Sequence, residues 1–163
     1  MTKNRGVDVL FVHPGNRATI YQSLGENLSG IEPPVWAAMM ATFVRNHGFS
    51  VDILDPETEG LGPSETASRI TEINPLLSAI VVYGHQPSAS TQNMTFAGQV
   101  CTEVRKISPE HNTLLVGGHV AALPERTLRE EDASFVAGGE GLYTVLDLIK
   151  ALKHGRPEDI QKV

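Results

Sequence analysis

The sequence predicts an α/β protein: a three-layer sandwich in which one parallel five-stranded sheet lies between two layers of helices. Short apolar runs rich in β-branched residues recur at Val7–Val12, Ser50–Asp55, Leu76–Tyr83, Thr113–Val116 and Ala133–Ala137. Segments of helical periodicity follow each of them. Every run stops at glycine or proline: His13-Pro14-Gly15, Pro56, Gly84, Gly117-Gly118 and Gly138-Gly139. Strands alternating with helices at this spacing are parallel strands joined by right-handed crossovers.

The elements are justified in turn. Val7–Val12 is short and β-branched, as a buried strand is, and a long loop from about Pro14 to Glu32 follows. Pro33-Pro34 suits a helix start, because proline is tolerated in the first turn. Trp36, Met40, Phe43 and His47 then recur at helical spacing with Ala37, Ala41 and Val44 beside them, and Gly48 ends the helix. Ser50–Asp55 alternates as a strand. Ser64 is the expected N-cap of a short helix carrying Ala67, Ile70 and Ile73. Leu76–Tyr83 is the most apolar run and reads as a strand buried on both faces. Phe96, Ala97, Val100, Cys101, Val104 and Ile107 mark the next helix. Pro124–Arg129 is a short helix between the last two strands, and Leu142, Val145, Leu146, Ile149 and Leu152 line a final one that Gly155 ends. Five such strands fit the flavodoxin-like (Rossmann-like) order 2-1-3-4-5.

The chain has 163 residues, enough for one domain with its own core. Thirteen basic and 19 acidic residues give a net charge of −6, which speaks against sequence-independent nucleic-acid binding. One cysteine, Cys101, excludes an intramolecular disulfide, a Cys₄ zinc site and a self-contained iron–sulfur cluster. No secretory signal or membrane span is visible, so a cytoplasmic location is expected.

In an open parallel sheet, ligands bind beyond the carboxyl ends of the strands, at the switch point between strands 1 and 3. His13-Pro14-Gly15, Gly84-His85, Gly117-Gly118-His119 and Gly138-Gly139-Glu140-Gly141 all fall on that rim. Glycines there serve either ordinary turns or a ligand lying flat against the backbone. No G-x-x-x-x-G-K-[ST] or G-x-G-x-x-G occurs in the required place. The third strand ends in Tyr83-Gly84 rather than the carboxylate of a phospho-receiver domain. A flavin site is not excluded by spacing.

The stretch Gly117-Gly118-His119, Pro124-Glu125, Asp132 and Phe135-Val136-Ala137-Gly138-Gly139-Glu140-Gly141 resembles the N-terminal cobalamin-binding domain of cobalamin-dependent radical S-adenosylmethionine enzymes. The shared pattern is GG-x-H, then P-E, then a strand ending G-E-G. Gly30-Ile31-Glu32-Pro33-Pro34, Arg45-Asn46-His47-Gly48 with Asp55, and Val12-His13-Pro14 extend the resemblance over residues 7–152. Gly138 departs from it, since a charged or bulkier residue is common there.

The resemblance implies that cobalamin sits on the carboxyl rim. Gly117, Gly118 and His119 would line its nucleotide tail, with Gly138, Gly139, Glu140 and Gly141 beside them. Ser88, Ser90 and Thr91 would bond the tail's phosphate or ribose, or else cap the helix they start. His13, Pro14 and Gly84 complete the rim, and Asn16, Arg17 and Tyr21 in the first loop would cover the cobalt face. Methyltransferase-type cobalamin domains carry D-x-H-x-x-G, whose histidine replaces the lower cobalt ligand. None of His13, His47, His85, His111, His119 and His154 has those flanks, so the cofactor is expected base-off with no protein imidazole and no protein metal ligand.

Radical S-adenosylmethionine chemistry needs C-x-x-x-C-x-x-C, which one cysteine cannot supply. Residues 1–153 are therefore expected to form the cobalamin domain. Residues 154–163 would begin a linker to a C-terminal radical S-adenosylmethionine domain that itself carries S-adenosylmethionine and the iron–sulfur cluster. No catalytic residue is expected in this chain; it would serve methyl transfer or related radical chemistry, such as ring formation. Two other readings of the fold stay open: a non-catalytic interaction or signalling module, and a flavin-binding electron carrier.

Overall fold

The computed structural model describes residues 6–15, 30–84 and 87–155. Its five strands are β1 (Val9–Val12), β2 (Val51–Leu54), β3 (Leu77–Val82), β4 (Thr113–Gly117) and β5 (Phe135–Val136). All pairings are parallel and the order is β2-β1-β3-β4-β5. The helices are α1 (Val35–Asn46), α2 (Pro56–Glu59), α3 (Pro63–Ile73), α4 (Pro87–Ile107), α5 (Gly118–Ala122), α6 (Pro124–Glu130) and α7 (Leu142–His154).

Strand alternation divides the core into two layers. Val9, Phe11, Ala79, Val81, Leu114 and Val116 face α1 and α7. Leu10, Val12, Ile80, Val82 and Leu115 face α3, α4 and α5. Both faces are covered, so β1, β3 and β4 are buried at every position and read as unbroken apolar runs. Each Val, Leu or Ile so buried contributes about 1.5–3 kcal/mol.

Several local expectations are corrected. Gly62, not Ser64, caps α3: Pro63 takes the first helical position and the Glu65 carboxylate accepts the Gly62 N–H at 2.6 Å. The last strand is only Phe135–Val136, shorter than the apolar run Ala133–Ala137, because it lies at the sheet edge and bonds β4 alone. Trp36 and His47 share the helical spacing of Met40, yet α1 buries Ala37, Met40, Ala41 and Val44. Trp36 is 43% exposed, and so is half of Ile107 at the end of α4. The short helices α2 and α5 carry too few residues to show a period; Asp55 caps α2 through the Thr58 N–H and hydroxyl.

Polar contacts close the amino ends of the strands. The Asp8 carboxylate accepts from the Ser50 N–H at 2.8 Å and hydroxyl at 3.0 Å, and meets Lys153 Nζ at 2.6 Å. Ser78 Oγ and His111 Nε2 are 2.9 Å apart. Asn112 donates to the Leu76 carbonyl, and Ser134 and Thr113 exchange N–H-to-hydroxyl bonds.

Candidate functional site

Right-handed crossovers put the start of every following helix at the carboxyl ends of the strands, so sequence-distant residues converge on one rim. His13 follows β1 and is half-buried; its N–H donates to the Leu54 carbonyl at 2.9 Å. Pro14 beside it is buried. Asn16, Arg17, Tyr21 and His85 lie outside the described residues.

On the β3–β4 side, Ser90 holds the rim together. It is buried in the second turn of α4. Its hydroxyl donates to the Val82 carbonyl at the end of β3 and accepts from the His119 N–H at 3.0 Å. That ties β3, α4 and α5 at one point. The exposed Thr91 places its hydroxyl 3.1 Å from His119 Nδ1. Ser88 is exposed in the first turn of α4.

The glycines fall into two kinds. A Cβ on Gly117 would lie 2.1 Å from the Val82 carbonyl oxygen, so β3 and β4 approach as they do only because Gly117 lacks one. A Cβ on Gly84 would meet that of Ala89 at 2.3 Å. Gly141 has φ +86°, and a Cβ added to it would lie 2.2 Å from Val116 Cγ2, so both its conformation and its packing demand glycine. These three serve the fold. Around Gly138 and Gly139 nothing lies within 4 Å of an added Cβ, and at Gly118 the nearest atom is Ser90 Oγ at 3.6 Å. Gly118 is exposed, and its φ is not positive. Gly118, Gly138 and Gly139 thus each leave backbone uncovered at the carboxyl rim, Gly118 directly before His119.

On the β1–β3 side the rim is aromatic. Tyr83 follows β3, stacks on Trp36 in the first turn of α1 with ring centroids 4.7 Å apart, and points its hydroxyl at the Glu140 carbonyl, 3.4 Å away. Burial, then the Glu140 charge, raises the Tyr83 phenol above its ordinary value. Glu140 itself is exposed, just before α7. Sequence reasoning put neither Trp36 nor Tyr83 in the site. The signal lay in position: one residue follows the third strand, the other follows Pro33-Pro34 at the helix start.

Cys101 takes no part. It is buried in α4, and burial, with Glu131 and Asp132 nearby, pushes its thiol up to about 12. Among the described residues, no three His, Cys, Asp or Glu side chains converge to hold a metal ion. No helix among them is long and apolar enough to cross a membrane.

Comparisons with known proteins bear on the same region. The family model for the B12 binding domain matches residues 21–149. The anaerobic magnesium-protoporphyrin IX monomethyl ester cyclase of Rubrivivax gelatinosus is 27% identical over 150 residues, 91% of this chain and 25% of that protein. An uncharacterized methyltransferase of Pyrococcus horikoshii is 30% identical over 149 residues, 91% of this chain and 30% of that one. The chain therefore spans between a quarter and a third of the length of these relatives. Among solved structures, the radical S-adenosylmethionine methyltransferase TsrM of Kitasatospora setae, with cobalamin and a [4Fe-4S] cluster bound, superposes with a TM-score of 0.67 at 17% identity. The match covers 91% of this chain and 25% of that one.

Proposed function

Since the chain belongs to the B12-binding domain family, we propose that it holds cobalamin base-off on its carboxyl rim and presents it to a radical S-adenosylmethionine domain. The observation that carries this reading is the open backbone at Gly118, Gly138 and Gly139 on the carboxyl rim, where an added Cβ would meet nothing closer than 3.6 Å. Gly118, His119, Ser88 and Thr91 would hold the nucleotide tail, and Gly117 and Ser90 would fix the shape of that pocket from behind. Gly138, Gly139 and Glu140 would flank the cofactor on the β5 side, with Gly141 setting the course of the backbone there. His13 and Pro14, with Asn16, Arg17 and Tyr21 of the first loop, would complete the seat, and Gly84 would let the start of α4 pack close behind it.

Bound cobalamin supplies cobalt-centred group-transfer chemistry. This chain's residues bind it, orient it and control access to it. The partner domain is supported by the relatives' length, three to four times that of this chain, and by their names, a cyclase and a methyltransferase. Residues 1–153 would be the cofactor domain and 154–163 the approach to that partner.

The test is a titration of the chain with hydroxocobalamin, followed in the visible spectrum, with FMN as the competing ligand. A shifted corrinoid spectrum is expected, with no response to FMN. A response to FMN alone would mark a flavin carrier, and a response to neither would favour an interaction module. The cobalt(II) form should then show an electron paramagnetic resonance spectrum without axial nitrogen splitting, because no histidine has the flanks of D-x-H-x-x-G. Nitrogen splitting would overturn the base-off, imidazole-free arrangement.

A further inference from the structure

Trp36 is the chain's one tryptophan, and it stands at the rim instead of in the core. Tyr83 covers one side of its indole at 4.7 Å with the planes only 25° apart, and 43% of the residue remains exposed. Tyr83 is anchored in turn by its position after β3 and by its hydroxyl at the Glu140 carbonyl. The stack therefore bridges the start of α1, the end of β3 and the segment after β5, across the crevice where strand order reverses. A large aromatic ring fixed on one side and partly open on the other has little left to lose on binding, and it presents apolar area for a flat ligand to cover. The opposite half of the rim is small and polar, with Gly118, His119 and Thr91. It suits a nucleotide tail but offers no broad apolar wall.

We propose that Trp36, held by Tyr83, is a cofactor-contacting residue whose indole flanks the corrin macrocycle on the β1–β3 side of the rim. The inference rests on the cobalamin reading above and extends it from the nucleotide tail to the ring. It divides the rim by chemistry: the tail meets the hydrogen-bonding half and the macrocycle meets the aromatic half.

Two ligands separate the halves. Hydroxocobalamin carries both ring and tail, whereas dicyanocobinamide carries the ring without the nucleotide. The full chain is titrated with each, by visible absorbance and by equilibrium dialysis. Trp36→Ala should weaken both by the same factor, about 10-fold. Trp36→Phe should recover most of the loss, and Tyr83→Ala, which removes the support of the indole, should weaken both ligands together. Gly118→Leu should weaken only the ligand that has a tail. Because Trp36 is outside the core, Trp36→Ala should melt close to the wild type. Should Trp36→Ala bind cobinamide as tightly as the wild type, the inference is overturned and the exposed indole belongs to a protein contact. Loss of hydroxocobalamin binding alone would overturn it too, by placing the indole against the tail. A wild-type chain that binds neither ligand would instead sink the cobalamin reading itself.

Discussion

The two ends of the same sheet are built on opposite principles. At the amino ends, side chains close the structure: Asp8 with Ser50 and Lys153, Ser78 with His111, Thr113 with Ser134. At the carboxyl ends glycine occupies Gly84, Gly117, Gly118, Gly138, Gly139 and Gly141, and the large side chains Trp36 and Tyr83 stack on the β1–β3 side alone. Polar residues at the rim either tie the backbone, as Ser90 does, or stand at its surface, as Thr91 and His119 do. The difference teaches that this domain places its polar side-chain contacts at one end of the sheet and leaves stretches of backbone uncovered at the other. It also shows that rim glycines are not all of one kind, since some face open space and others admit a neighbouring strand or side chain.

The largest expected effect tests that division within the rim. Gly117→Val would drive its Cβ against the Val82 carbonyl oxygen, a backbone atom that cannot move without opening the β3–β4 ladder. A loss of about 3 kcal/mol or more is expected in chemical denaturation, at the upper end of overpacking costs. One residue later, Gly118→Leu should cost no more than about 0.5 kcal/mol, as surface substitutions do. It should nevertheless lower hydroxocobalamin affinity by a factor of about 10 or more, by filling the proposed seat of the tail. The non-positive φ of Gly118 removes the backbone strain that leucine would otherwise suffer there. If both variants lose stability equally, the distinction between the two kinds of glycine collapses.

Much of this was legible in the sequence. The five apolar runs, their order and the glycine-rich rim follow from Leu77–Val82 and its neighbours, because strands buried on both faces leave continuous apolar signatures. What was not legible depends on distance in space. Nothing in Gly117-Gly118 says which glycine meets Val82 and which meets solvent. Ser90 reads as a candidate ligand by type and spacing, yet its hydroxyl is engaged by Val82 and His119, residues eight and 29 positions away. Trp36 shares the period of Met40 but lies at the flank of the stripe that α1 buries, Ala37, Met40, Ala41 and Val44, where helical periodicity no longer guarantees burial.

The smallest effect belongs to the closed end and should leave the rim untouched. Burial pushes the Asp8 carboxyl up, but the Lys153 ammonium and the Ser50 N–H and hydroxyl outweigh it, so the net value lies below the ordinary 3.8. A carboxyl whose folded value is depressed binds protons more weakly folded than unfolded. Its contribution is complete above about 3.8 and disappears as pH falls through the lowered value. Asp8→Asn should therefore cost about 1 kcal/mol at pH 7, since Lys153 is a third exposed and water screens the pair. That gap should close as the pH is lowered below 3.8, because the wild type loses there what the variant never had. Hydroxocobalamin affinity at pH 7 should be unchanged in Asp8→Asn, because the pair stands at the amino ends of the strands and the proposed seat at the carboxyl ends. Urea denaturation of both proteins across the acid range measures the first effect, and a corrinoid titration measures the second. A variant that holds its stability gap in acid would show that Asp8 acts through packing and not through charge, and one that lost cofactor affinity would show that the two ends of the sheet are coupled.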